Sequence, residues 1–69
     1  MKDRLTWIRV VDQAPPRDVV VETKIEDERG VRNIAKLKLH NNLWFFDDLS
    51  MYVYYSPTHW RHLTVWYPL

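Results

Sequence analysis

His59 and His62 come nearest to a metal site in this chain by type and spacing, with His40, Asp47 and Asp48 as further donors. On a strand, residues three apart point to opposite faces. The helical turn that would bring the two histidines together has Pro57 beside it, which works against it. His59 therefore reads as a structural histidine bonded to the backbone and His62 as a surface residue, and no metal or other cofactor is expected. Ser56, His59 and Asp47 can be drawn as a nucleophile, a base and an orienting acid. The chain has one glycine, Gly30, and no nucleophile elbow or glycine-built oxyanion loop. The adjacent carboxylates Asp47 and Asp48 diverge if extended, so they read as a solvated turn with some capping role. A chain of 69 residues also has little room to enclose a substrate. No catalytic residue is assigned, and an enzyme is not expected.

Binding chemistry is better represented. Tyr52, Tyr54 and Trp60 could stack bases while Arg32, Lys36, Lys38 and Arg61 meet phosphates. The strand register derived below sets Glu26 beside Arg32 and Glu22 beside Lys36, so a solvated face of mixed charge is the preferred reading of those cations. Tyr52, Tyr54, Phe45, Trp66 and Arg61 are of the types that anchor protein interfaces. They are the candidate partner-binding residues, and the competing reading makes the aromatics the core of the sheet's second face.

The stretch that must position these groups is residues 19–46, which reads as three antiparallel strands. Residues 19–26 are β-branched and alternate: Val19, Val21, Thr23 and Ile25 turn inward, and Val20, Glu22, Lys24 and Glu26 outward. Gly30 supplies positive φ for a three-residue loop over 28–30. Asp27 then lies opposite Val31, Val21 opposite Leu37 and Val19 opposite Leu39, with Glu26–Arg32 and Glu22–Lys36 on the outer side. Asn41-Asn42 forms a two-residue turn, which sets His40 opposite Leu43, Leu39 opposite Trp44 and Leu37 opposite Phe46. Phe45 then faces outward beside Lys38, within reach of a cation–π contact. Ahead of this block, residues 5–11 read as extended. Pro15-Pro16 marks an ordered connection, with room for a short helical turn at 11–14. After it, Met51, Val53 and Tyr55 alternate with Tyr52 and Tyr54, and residues 58–67 read as a last strand carrying Trp60 into the core. The expected fold is mainly β, a small antiparallel sheet of four to five strands in a hairpin meander. One short helical turn would make it α+β.

The length allows a single domain over residues 1–69. Cysteine is absent, so no disulfide or thiolate site contributes. A net charge of +1 is not the footprint of a strong nucleic-acid binder. Four Trp, four Tyr and two Phe exceed what so small a core readily buries, which makes an exposed aromatic patch or a homodimer an expectation. With no apolar run long enough for a bilayer and an N-terminus, Met1-Lys2-Asp3-Arg4, that lacks the apolar stretch of a signal peptide, no membrane association is expected and a cytoplasmic location is.

Trp7-Ile8-x-Val10, Pro15-Pro16, Val19-Val20-Val21, Ile34-Ala35, Trp44 and Thr58-His59-Trp60-x-x-Leu63 together resemble domain-of-unknown-function family 551, small phage and prophage proteins. Members typically open with Trp-Ile/Val-x-Val before Leu-Pro and close with Thr-His-Trp-x-x-Leu-Pro. Here Ala14 stands for the leucine, Arg61-His62 for the usual Met-Pro, and Thr64 for the final proline. The family brings no activity. The resemblance implies a phage or prophage accessory protein. With the candidate residues above, the expectation is one that binds a host protein or complex in the host cytoplasm. A defence factor such as a CRISPR–Cas complex would be an example, inhibited in the anti-CRISPR manner. A small nucleic-acid-binding module is the alternative.

Overall fold

The computed structural model describes residues 6–48 and 51–63. Five antiparallel strands form one open sheet: β1 (Ile8–Arg9), β2 (Val21–Asp27), β3 (Gly30–His40), β4 (Leu43–Phe45) and β5 (His59–His62). No helix occurs among the described residues; residues 10–12 form a turn in which the Asp12 and Gln13 amides both donate to the Arg9 carbonyl. In particular, none is long and apolar enough to cross a membrane.

The spatial order is β1-β5-β2-β3-β4. β2, β3 and β4 form the meander, and β5 returns by a long connection to lie beside β2, which is a Greek-key arrangement. β1 then edges β5, with Ile8 opposite Trp60 and Arg9 opposite His59. The Thr58 amide donates to the Lys24 carbonyl at 3.0 Å and the Glu26 amide to Thr58 Oγ1 at 2.8 Å, so Thr58 locks the entry of β5 onto β2.

The Asn41-Asn42 turn forms as its residues imply, and the Gly30 hairpin has a loop one residue shorter than expected. Asn41 and Asn42 both take positive φ (51° and 66°), and His40–Leu43, Leu39–Trp44 and Lys38–Phe45 pair across them. Strand β4 ends at Phe45, so Phe46 does not reach Leu37. At the first hairpin Gly30 takes φ 104°, but Asp27 pairs with Gly30 itself, and only Glu28 and Arg29 lie between them. Glu26 consequently meets Val31, and Ile25 meets Arg32. The ladder recovers the expected register, Thr23–Ala35, Glu22–Lys36 and Val21–Leu37, through a bulge between Thr23 and Ile25. Across it Lys24 alone faces Asn33 and Ile34, and Asn33 takes the left-handed conformation at φ 56°. Asn is tolerated there because its short polar side chain can hydrogen-bond locally.

One face of the sheet holds the core: Val21, Leu37, Trp44 and Trp60, with Ile8, Val10, Ala35, Leu39, Val53 and Tyr55 packed against them. Trp60 is 1% exposed and donates its indole N–H to the Gln13 carbonyl at 2.7 Å, tying the loop before Pro15 over the core. Val19 precedes β2 and is exposed; the Asp18 amide makes the contact to the Leu39 carbonyl instead.

An apolar groove and a divided outer face as the candidate functional site

β4 pairs with β3 only at residues 38–40. Toward the hairpin, that edge of β3 has no strand beside it among the described residues. Residues 51–55 run along this side, joined to β4 by the bridge Phe45–Tyr52 and by Val53 amide to Trp44 carbonyl at 2.8 Å. Between them lies a groove of about 340 Å³, almost wholly apolar, with Ile34, Ala35, Phe46, Met51, Val53 and Tyr55 in its lining. Ile34, beside the bulge, is 61% exposed, and Met51 is 59% exposed. Such a contiguous apolar opening marks an interaction surface more often than scattered single residues do.

Of the expected binding residues, Tyr52 and Tyr54 stand at the rim of this groove, and Tyr54 is 97% exposed. Phe45 sits half-buried on the opposite face between the rings of His40 and Tyr52, at centroid distances of 5.8 and 5.9 Å; Lys38 is its strand partner, but among the described residues no cation lies over its ring. Arg61 is drawn inward on the outer face, far from the groove residues in the strand order. Its Nε donates to Glu22 Oε1 at 2.7 Å and its guanidinium lies 4.2 Å from the Trp7 ring centroid. Trp66 lies outside the described residues.

The outer face therefore departs from the charge pairing expected of the hairpin alone. Glu22 bonds Arg61, and Glu26 bonds Lys24 at 2.5 Å. Arg32 makes two 2.9 Å bonds to Asp27. The Arg32 guanidinium, helped by the Arg29 amide, holds the Asp27 carboxyl down to about 2 from its ordinary 3.8. The Lys24 ammonium lowers Glu26 in the same sense. Trp7 caps this half of the face, with Lys24 Nζ 4.4 Å from its ring centroid as well. Lys24, expected outward, is only 8% exposed as a result.

The chemistry-bearing residues do not converge. His59 and His62 lie on opposite faces: His59 pairs with Lys24, while His62 packs its ring 5.1 Å from that of Trp60. His59 Nδ1 meets the Thr58 hydroxyl at 2.7 Å rather than the backbone. No hydrogen bond joins Ser56 to His59 among the described residues, and no three His, Asp or Glu residues gather there as a metal site. Asp47 and Asp48 form an exposed turn.

Sequence reasoning missed Ile34, Trp7 and the bulge. The available signal was Asn33, a left-handed-tolerant residue inside an otherwise regular strand.

The chain matches no protein-family model, no curated protein and no solved structure.

Proposed function

We propose that this protein works by binding another protein through the groove beside β3, without catalysing a reaction. The observation that carries this is the apolar groove along a strand edge that is unpaired among the described residues, rimmed by Tyr52 and Tyr54. An extended partner segment fits such a surface: the strand edge offers main-chain hydrogen bonds, and the groove takes alternate side chains. The resemblance to family 551 supports a phage or prophage accessory protein. It makes a host protein or complex, such as a CRISPR–Cas defence factor met inside the host cell, the partner class to search first.

The test is capture from host lysate with the full chain as bait. Ile34→Asp with Met51→Asp alters exposed side chains only, so the melting curve is expected to stay near wild type while the captured partner is lost. Lys36→Ala with Lys38→Ala is expected to leave capture intact. Capture that survives the aspartate pair at wild-type yield refutes the groove as the binding surface.

A further inference from the structure

The outer face of the sheet has a second, open half over β3 and β4. Lys36 and Lys38 are two apart on β3 and share a face. Lys38 stands opposite Phe45, and Phe45 opposite Tyr52. Directly opposed residues lie on the same face, so an ammonium, a half-buried ring and an exposed ring form a row across the sheet. The Phe45 and Tyr52 rings meet edge to face at 61°, leaving the Tyr52 ring 55% exposed at the end of the row.

These lysines are electrostatically bare. Glu22 stands opposite Lys36 in the ladder, but its carboxylate is engaged by Arg61. Asp27 is held by Arg32, and Asp18 by His40 at 2.5 Å. Among the described residues, no carboxylate forms an ion pair with Lys36 or Lys38. Uncompensated cations beside an exposed aromatic are complementary to a polyanion whose bases are free to stack. A duplex lacks that freedom, because its bases are already stacked.

We propose that this face binds single-stranded nucleic acid, with bases on Tyr52 and Phe45 and the backbone phosphates on Lys36 and Lys38. The surface shares Tyr52 with the rim of the groove but uses neither Ile34 nor Met51, and the inference does not rest on the protein-binding reading. Recognition by stacking and charge tolerates any sequence and both sugars.

Fluorescence anisotropy of labelled oligo-dT and oligo-U of about 12 nucleotides, within the usual site size, tests this against a duplex of the same length. Both single strands are expected to bind, and more tightly than the duplex. Lys36→Ala with Lys38→Ala is expected to weaken binding and flatten the log–log salt slope by about 1.4, since each phosphate neutralised on a single strand contributes about 0.7. Tyr52→Ala is expected to weaken binding by about 5- to 150-fold at an unchanged slope, the range for losing one stacked base. The inference is overturned by no anisotropy change at protein concentrations up to about 100 μM, the weak end of non-specific binding. It is equally overturned by wild-type affinity and slope in the lysine variant, or by binding that fails in Ile34→Asp with Met51→Asp and persists without the lysines. Lys36 is exposed and Lys38 half-buried, so a circular dichroism melt of the lysine variant near wild type accompanies the binding measurement.

Discussion

The bulge at Asn33 borders the groove, and replacing that residue tests the bulge directly. Asn33 sits at φ 56° in the middle of β3. The left-handed conformation costs an L-residue roughly 1–2 kcal/mol, and Asn less than most. A β-branched residue there is a steric outlier. Asn33→Val is therefore expected to destabilise by about 1–2 kcal/mol. In a domain of this size each kcal/mol moves Tm by about 4–8 °C, so the expected drop is about 4–16 °C. Deleting Asn33 should act differently. The ladder on either side of the bulge then closes one-to-one, with Lys24 opposite Ile34 between the existing pairs Thr23–Ala35 and Ile25–Arg32. That variant is expected to hold or gain stability while the groove loses its shape. Circular dichroism melts measure both, and cross-strand Hα contacts by NMR report the register. A Tm for Asn33→Val within about 2 °C of wild type, the scale of an ordinary surface change, would refute the left-handed assignment. Hα contact between Glu26 and Arg32 in the wild-type chain would show a continuous ladder with no bulge at all.

Two further outcomes follow from the core and the hairpin. Trp60→Ala should cost about 3–5 kcal/mol, the range for a buried tryptophan, enough to unfold a domain of ordinary marginal stability; Trp60→Phe, which keeps a ring but strands the Gln13 carbonyl, should cost less, and intrinsic fluorescence with denaturant melts ranks them. The Asp27 carboxyl titrates in the folded hairpin at about 2 against an ordinary 3.8. Because the folded value is the lower one, its support for the hairpin is present above about 3.8 and is lost as pH falls through about 2. Arg32→Ala should move the NMR titration midpoint of Asp27 upward toward the ordinary value, and an unmoved midpoint would refute the ion pair.

Much of the meander was legible because its turns are local. Asn41-Asn42 is suited to consecutive positive φ values, and Gly30 to one more, so β3–β4 and the Val21–Leu37 end of β2–β3 pair as their residues imply. The bulge was not legible. An extra residue taken up within β3 has the same effect on distant register as a hairpin loop longer by one, and alternation cannot tell them apart. The position of β5 was not legible either. Which edge a late strand joins depends on non-local pairing, and the local pattern of 59–62 carries only its strand character. The aromatic rim at Tyr52 and Tyr54 was visible as a surplus over the core; Ile34 was not singled out, because a lone outward aliphatic opposite Lys24 carries no sign of the groove beside it.

The insertion of β5 also decides the charge pattern of the outer face. Within the β2–β3 hairpin alone, Glu22 has Lys36 as its cross-strand partner. Once β5 lies along the other side of β2, Arg61 competes for the same carboxylate from the equivalent position. The guanidinium is planar and stacks on Trp7, which holds it in place, whereas a lysine ammonium at a solvent-exposed position keeps its water. Glu22 and Arg61 are each about three-quarters removed from solvent (side-chain exposures of 25% and 26%), so their attraction is screened less than that of an exposed pair. The carboxylate therefore turns toward β5. Arg61, which composition alone would make a binding residue, is spent on closing the Trp7 half of the face. Lys36, which the hairpin alone would neutralise, is left with no ion pair among the described residues, beside Lys38 and the aromatic row. The same strand that completes the core thus creates the cationic half of the surface.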